Sequence, residues 1–222
     1  METKDWKAKE TAKVLLIGHD PRLNKSHTIA ETALFANYYF KPIPTKSSEK
    51  KKYGLAKSSF EYIVGITNGK YKPENIYITN LCNTALEHAP IGKTVLIPQS
   101  EAEKGLKNIK SILKENPSIE YIFPMSLQVN YWLQKLSFYN TSDNFIKDSE
   151  PVQIGLNNNP PYFKAKVPGT FLSICGNQYK VNNGNQTLIP ILHVKTYKYP
   201  FTNNFISYNQ CYEKLFKYFK SV

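Results

Sequence analysis

The fold class is decided by one stretch near the amino terminus, Lys13-Val14-Leu15-Leu16-Ile17-Gly18-His19-Asp20-Pro21-Arg22. Its first half is a short run of branched apolar residues ending at Gly18, which is typical of a strand buried on both faces. A polar turn follows at once. Strands of this kind occur in parallel sheets covered by helices on both sides, so we expect an α/β protein.

The rest of the chain alternates between strand and helix patterns. Apolar runs typical of strands are predicted at residues 13–17, 76–79, 120–123 and 187–192. Helical periodicity is predicted at about 28–39, 56–65, 100–116, 126–136 and from about 203 onward. This alternation predicts a three-layer αβα sandwich around a central, mainly parallel four-stranded sheet with right-handed crossovers.

Two segments fall outside this alternation. Residues 1–12 form a polar amino-terminal segment, and residues 140–185 are expected to form a loop and hairpin insertion. Within the insertion, residues 170–174 and 178–181 are expected to pair as a hairpin through Gly176-Asn177. Two helix starts have capping-box spacing, Thr28 with Glu31 and Ser100 with Glu103, and Ser126 is expected to cap a further helix. We expect one domain over residues 1–222.

Composition limits the classes of function. No apolar run approaches the length of about 20 residues that a membrane helix needs, and the amino terminus lacks a secretory signal, so we expect a cytoplasmic protein with no membrane partner. The three cysteines, Cys82, Cys175 and Cys211, are too widely spaced for a disulfide framework or zinc site, and too few for a four-thiolate iron–sulfur cluster. We therefore expect no metal and no cofactor.

The chain is strongly basic. Its net charge is +12, which suits a polyanionic partner such as nucleic acid. Of the 29 lysines and arginines, only Arg22 is an arginine. The run Lys50-Lys51-Lys52 is either a phosphate contact or an ordinary solvated surface. Arg22 offers a planar fork of donors that lysine does not, so its place in the first turn reflects either a functional need or coincidence.

Three polar residues follow the ends of predicted strands: Asp20, Asn80 and His193. In open α/β sheets ligands bind at the carboxyl ends of the strands, so these side chains are expected at one site. A carboxylate there is suited to positioning a water or acting as a base, and a histidine to stabilising an anion or transferring a proton. An asparagine presents a donor and an acceptor to the edge of a nucleobase.

Taken in order, these segments resemble the uracil-DNA glycosylase superfamily, from about residue 13 to 200 with residues 140–185 poorly covered. Val14-Leu15-Leu16-Ile17-Gly18-His19-Asp20-Pro21 is similar to the family's strand followed by Gly-Gln-Asp-Pro. Ile76 to Asn80 resembles the strand that ends in the base-reading asparagine. Pro98 with its helix and Ile122 to Ser126 match the middle of the compact members, and Ile189 to His193 resembles the strand that delivers the catalytic histidine.

The resemblance implies a mechanism in which the target nucleotide is flipped into a pocket. Asp20 would orient the attacking water, and His193 would stabilise the departing base anion. Asn80 would bind the base edge, Phe35 on the first helix would stack on it, and a backbone N–H near His19 would hold a base carbonyl. The implied partner is damaged or uracil-containing DNA, bound by a monomer.

The chain departs from the family in two places. Arg22 stands where the best-known branch has an aromatic that excludes the thymine methyl, so Arg22 is expected to set specificity for the base. After the histidine, Val194-Lys195-Thr196-Tyr197 replaces Pro-Ser-Pro-Leu. Tyr197 then lies at the position of the wedge residue, and Lys195 and Lys198 are expected to contact DNA phosphates.

Two other functions remain open from the sequence. One is a non-catalytic module on the same fold that binds nucleic acid or protein, suggested by the changes at Arg22 and at 194–197. The other is a metal-dependent hydrolase using His19, Asp20, His27 and His193, although this spacing fits no strong metal motif.

Overall fold

The computed structural model describes residues 2–19, 31–86, 94–141, 145–149, 162–163, 169–193 and 205–222. The strands are β1 (Val14–Gly18), β2 (Ile76–Asn80), β3 (Thr94–Val95), β4 (Tyr121–Pro124), β5 (Tyr162–Phe163), β6 (Tyr179–Lys180) and β7 (Thr187–Leu188). The α-helices are α1 (Ser47–Ile66), α2 (Gln99–Glu115), α3 (Leu127–Lys135), α4 (Phe145–Asp148), α5 (Thr170–Ile174) and α6 (Phe205–Ser221). Short 3-10 helices lie at Ala33–Tyr38 and Pro73–Asn75.

The predicted α/β sandwich is confirmed, with one strand more than expected. Within the described residues the central sheet has five strands in the order β2-β1-β4-β7-β6. The first four are parallel to their neighbours, and β6 pairs antiparallel with β7. A second, two-stranded sheet pairs β3 with β5. The four predicted strands are therefore present, and β6 adds an antiparallel edge.

Alternate residues of β1 face opposite sides of the sheet, as a period of two requires. Val14 and Leu16 belong to a core shared with α1 and α6, whose buried members include Phe60, Ile63, Leu215 and Phe219. Leu15 and Ile17 belong to the opposite core, shared with α2 and α3, whose buried members include Ile109, Val129 and Trp132. Helices therefore cover both faces, which explains why β1 is apolar at every position.

The first predicted helix is wrong over the part that the structure describes. Ala33–Tyr38 is a 3-10 helix broken by left-handed backbone at Leu34 (φ 52°) and Phe35 (φ 56°). Its expected capping residue Thr28 lies outside the described residues. Bulky side chains rarely adopt this conformation, so tertiary contacts and not helix periodicity decide the path of the chain here. Phe35 is therefore not on an α-helix.

The predicted hairpin is also wrong. Residues 170–174, expected as its first strand, form the short helix α5, and the hairpin is made instead by β6 and β7. Gly176 (φ 76°) ends the α5 turn, and its N–H donates to the Pro190 carbonyl at 2.8 Å. Gly176-Asn177 thus acts as a helix-ending signal, which in sequence resembles a hairpin turn because both need a left-handed residue.

The other helices follow the predictions with shifted starts. The charged segment before residue 56 belongs to α1, which begins at Ser47. Helix α2 ends at Glu115, with Asn116 as its C-cap, close to the predicted end. Ser100 is not the N-cap of α2, because α2 begins at Gln99 with Pro98 as its N-cap. Ser126 is the N-cap of α3, but its side chain makes no capping hydrogen bond. Among the described residues, no helix combines the length and apolar character that a membrane crossing needs.

The amino-terminal segment adds an edge to the sheet that the sequence did not predict. Trp6 pairs with Ile78 of β2 through reciprocal backbone hydrogen bonds of 2.8 and 2.9 Å. The Thr3 N–H donates to the Asn83 carbonyl at 2.8 Å, and Lys4 pairs with the chain at 31–33. This segment therefore holds the loop after β2 and the start of the 3-10 helix in place.

Candidate functional site

Four strands bring the candidate residues to one edge of the sheet. Gly18 lies opposite Asn80 in the β1–β2 register, and Ile17 lies opposite Pro124. Beyond β7, Ile191 bridges to Met125, and the Ser126 N–H donates to the Ile191 carbonyl at 3.3 Å. The order along this carboxyl edge is therefore Asn80, His19, Ser126 and the chain that leads to His193. This is the edge where ligands bind in parallel α/β sheets.

Asn80 is buried, with 2% of its surface exposed, and its side-chain oxygen Oδ1 has no hydrogen-bond partner within the described part of the chain. A buried amide oxygen without a partner costs free energy, so a ligand that donates a hydrogen bond to it would be favoured. The side chain lies across Gly18, where an added Cβ would come within 2.4 Å of Oδ1. Glycine at the end of β1 is thus what leaves room for Asn80.

A polar cluster centred on the Asp5 carboxylate holds the end of β2 in place. The Asp5 carboxylate accepts hydrogen bonds from Thr79 Oγ1 (2.6 Å), Asn83 Nδ2 (3.2 Å) and Asn108 Nδ2 (3.0 Å). Burial and, secondarily, the nearby Asp5 charge raise the pKa of Tyr77 to about 12. The cluster ties α2 and the amino-terminal segment to the residues on both sides of Asn80. Sequence reasoning missed Asp5, because a lone acid in a polar segment carries no local signal.

His19 is held by a buried glutamine of α3. Its Nε2 lies 2.6 Å from Gln128 Nε2, and its carbonyl accepts the Cys82 N–H at 3.0 Å. His19 is partly exposed, while Gln128 is 1% exposed. The glycosylase resemblance implied a role for the backbone near His19, whereas the structure also orients the His19 side chain.

Ser126 was predicted only as a helix cap, yet it lies between the ends of β1 and β7. Its hydroxyl is buried with no partner among the described residues, and its backbone has φ 82° and ψ 157°. Asn130 secures this turn, since its Nδ2 donates to the Ser126 carbonyl at 2.7 Å and to the Pro124 carbonyl at 3.2 Å. A strained backbone and an unsatisfied hydroxyl at a ligand-binding edge are typical of a functional position.

The strain at Ser126 leads to a stability prediction. At ordinary positions glycine destabilises relative to alanine by roughly 0.5–1 kcal/mol. At position 126 we expect the opposite sign, with Ser126→Gly more stable than Ser126→Ala by about 1 kcal/mol, because only glycine adopts this backbone without strain. Urea unfolding of both variants measures the difference.

The matched control is Ser111, which is exposed within α2. There the glycine variant should be the less stable of the pair. A Ser126→Gly variant that is less stable than Ser126→Ala would show that the turn stores no strain.

The contacts described for the Phe35 ring do not test its predicted stacking on a base. The contacts of its ring are an edge-on approach to Tyr38, with centroids 6.3 Å apart, and Lys52 Nζ at 5.8 Å from the ring centroid. Leu34 is the neighbour that reaches Gly18, with Cδ2 3.5 Å from the place a Gly18 Cβ would take. No described contact joins the Phe35 ring to Asn80. In the run Lys50-Lys51-Lys52, the Lys52 ammonium group lies over the rings of both Phe35 and Tyr38.

Of the remaining predicted site residues, His193 belongs to the described part of the chain. His193 is partly exposed and follows Ile191 by two residues, which places its backbone at the carboxyl edge. Asp20, Arg22, His27, Lys195, Tyr197 and Lys198 lie outside the described residues. In the part of the chain that is described, no three histidine, cysteine or acidic side chains group as metal ligands, and Cys82, Cys175 and Cys211 are buried thiols outside any disulfide.

Comparison of the chain with models of known protein families and with curated proteins gave no significant match.

Proposed function

We propose that the protein is a DNA glycosylase that hydrolyses the N-glycosidic bond of uracil or another deaminated base in DNA. The observation that carries the proposal is the buried Asn80 amide, whose Oδ1 lacks a partner among the described residues and lies beside His19 at the carboxyl edge. The ordered resemblance of the strand ends to the uracil-DNA glycosylase superfamily supports the same reaction.

The Asn80 amide suits the edge of a deaminated base. An acceptor that has no partner among the described residues needs a donor from the ligand, and uracil supplies an N–H next to a carbonyl. Cytosine presents a ring acceptor and an amino group at the corresponding atoms, so it pairs poorly with the same amide orientation. Binding of a flipped uracil would therefore satisfy Oδ1, whereas binding of the parent base would leave it unsatisfied.

The chemistry assigned to the remaining residues follows from the charges that develop. As the glycosidic bond breaks, the sugar becomes cationic and the base leaves as an anion. Asp20 would face the sugar and orient water, and His193 would donate a hydrogen bond to the base anion. Arg22 would set the choice of base, and Lys195, Tyr197 and Lys198 would hold the DNA. The protein would act in the cytoplasm as a monomer and without a cofactor.

The proposal predicts release of free uracil from a uracil-containing oligonucleotide. Asp20→Asn and His193→Ala should each slow release by roughly 100-fold or more, because each removes a group that acts in the transition state. The measurement is single-turnover release of labelled base, followed by cleavage of the abasic product. Glu103→Gln, an exposed change on α2, is the control and should leave the rate unchanged.

Substrates with uracil, hypoxanthine and xanthine should be compared in parallel. If the pure protein releases none of them, the glycosylase proposal is wrong. Salt-dependent DNA binding without release would instead support the non-catalytic binding module, since a chain with a net charge of +12 should lose affinity steeply as salt rises.

A further inference from the structure

Two of the three cysteines, Cys175 and Cys211, lie together where the end of α5 packs against α6. They form a small buried cluster with Leu192, and their exposed fractions are 1% and 3%. The Cys175 thiol donates a hydrogen bond to the Cys211 sulfur, and the Leu192 N–H donates to the Cys175 sulfur. The two thiols are therefore in contact with each other and with the residue directly before His193.

The backbone holds α6 close to the end of α5 at this point. A Cβ added to Gly176 would come within 3.0 Å of the Cys211 carbonyl oxygen and 3.5 Å of Lys214 Cβ. Lys214 Nζ in turn donates to Asn177 Oδ1 at 3.4 Å. Contacts on the residues that follow Cys175 thus keep the two thiols together.

The two thiols differ in reactivity. The hydrogen bond from Cys175 lowers the pKa of Cys211, as does the Lys214 ammonium group, against the opposing effect of burial. The same hydrogen bond, together with burial, raises the pKa of Cys175. Because the thiolate is the nucleophile, Cys211 is the thiol suited to attack an oxidant, and Cys175 is suited to react second.

We propose that Cys175 and Cys211 form a redox-active pair that a hydroperoxide converts into a disulfide, which fastens the chain carrying His193 to α6. The Cys211 thiolate attacks a peroxide oxygen, so that an S–O bond forms, the O–O bond breaks, and the leaving hydroxide takes a proton to become water. The Cys175 sulfur then attacks the Cys211 sulfur. The S–S bond forms, the S–O bond breaks, and hydroxide leaves with the Cys175 proton as a second water. The two thiols are oxidised by two electrons, and the peroxide is reduced.

Burial of both sulfurs favours a small oxidant. Exchange with a larger disulfide, such as oxidised glutathione, requires that molecule to reach the thiolate in the cluster. Hydrogen peroxide is close to water in size, and local opening of α5, a helix of five residues, is enough to admit it. At equal concentration, hydrogen peroxide should therefore form the disulfide about tenfold or more faster than oxidised glutathione.

The test treats the full chain with hydrogen peroxide, blocks the remaining thiols by alkylation and maps the disulfides by mass spectrometry. The wild type should give the Cys175–Cys211 disulfide, with Cys82 recovered as an alkylated thiol. Cys82 is also buried, but its thiol donates to the Thr84 carbonyl at 3.2 Å, so Cys82→Ser is the matched control and should leave the disulfide unchanged. In urea, the same treatment should also give disulfides to Cys82, because only the fold selects the pair.

Dimedone, which traps sulfenic acids, tests the order of attack. In Cys175→Ser the serine hydroxyl still donates a hydrogen bond to the Cys211 sulfur, and no second thiol is present to remove the sulfenic acid. Peroxide should then give dimedone labelling of Cys211 about tenfold above that of Cys175 in Cys211→Ser. Stronger labelling of Cys175 would overturn the assignment of Cys211 as the attacking thiol.

The disulfide closes a loop over residues 175–211 that contains β6, β7 and His193. Oxidation should therefore raise Tm by about 5 °C, and dithiothreitol should reverse the change. The regulatory consequence rests on the proposed glycosylase function: the disulfide restrains the chain that carries His193, so it should slow uracil release about tenfold in the wild type and not in Cys211→Ser.

A wild type that forms no Cys175–Cys211 disulfide, or that links Cys82 as readily, would overturn the proposal, and neither result needs a variant to fold. A lower Tm after oxidation would show that the fold does not hold the two sulfurs in bonding geometry. Uracil release that oxidation leaves unchanged would refute the regulatory role. Absence of release in both redox states would refute the glycosylase function and leave the redox pair intact.

Discussion

Gly105→Ala is expected to lower the free energy of unfolding by about 3 kcal/mol or more, since overpacking against fixed backbone is among the most costly core changes. A Cβ at position 105 would lie 1.7 Å from the Leu81 carbonyl oxygen and 2.7 Å from its carbon. Leu81 cannot retreat freely, because its N–H donates to the Gly18 carbonyl at 2.9 Å. Helix α2 therefore packs against the chain directly after Asn80 only because residue 105 has no side chain.

The control for this substitution is Gly54→Ala. Gly54 is an exposed position inside α1, and nothing lies within 4 Å of the place a Cβ would take there. Alanine should stabilise this helix by up to about 1 kcal/mol, its ordinary helix-propensity advantage. Urea unfolding of both variants checks the pair, and a Gly105→Ala protein within about 1 kcal/mol of the wild type would contradict the close packing of α2 on Leu81.

Under the proposed glycosylase function, Gly18→Ala is expected to slow uracil release about 100-fold, because the added Cβ would push the Asn80 amide away from the base that it would bind. The added Cβ would meet Asn80 Oδ1 at 2.4 Å and Leu34 Cδ2 at 3.5 Å. Asn80 is buried at the end of β2, so its side chain would have to shift against its packed neighbours. We also expect a loss of stability of about 1–3 kcal/mol from the clash.

A double-mutant cycle with Asn80→Ala isolates this contact. Truncating Asn80 removes the oxygen that the new methyl group meets, so Gly18→Ala should be much less destabilising in that background than in the wild type. Equal costs in both backgrounds would show that the clash lies elsewhere. Because the cycle is read from unfolding, it tests the geometry of the site independently of any activity.

The regular parts of the fold were predictable from local pattern. The apolar run of β1 predicted a strand covered on both faces, and the cores on either side of Leu15 and Leu16 confirm it. The amphipathic spacing of α2 predicted its buried face at Leu106, Ile109 and Ile112. Such patterns are informative because a buried face imposes its period directly on the sequence.

The errors lie where local and tertiary preferences disagree. Helical spacing at residues 28–39 predicted an α-helix, but Leu34 and Phe35 adopt left-handed backbone while the amino-terminal segment pairs with residues 31–33. The β-branched and aromatic residues of 170–174 predicted a strand, yet they form α5. In short segments propensity is weak, and contacts with distant parts of the chain outweigh it.

For the turn after β1, the local sequence pattern predicted the location of the site but not the residues that contact the turn. Its place in the chain was enough to predict a site at the ends of β1 and β2, because parallel strands bring their carboxyl ends to one edge. The partners of that turn could not be predicted: Gln128 lies 109 residues from His19, and Gly105 and Asp5 act on the Asn80 loop from separate elements. The periodicity of the sequence indicates which face of a helix or strand is buried. The orientation of a polar side chain depends instead on the groups that folding brings within hydrogen-bonding distance, and these come from distant parts of the chain.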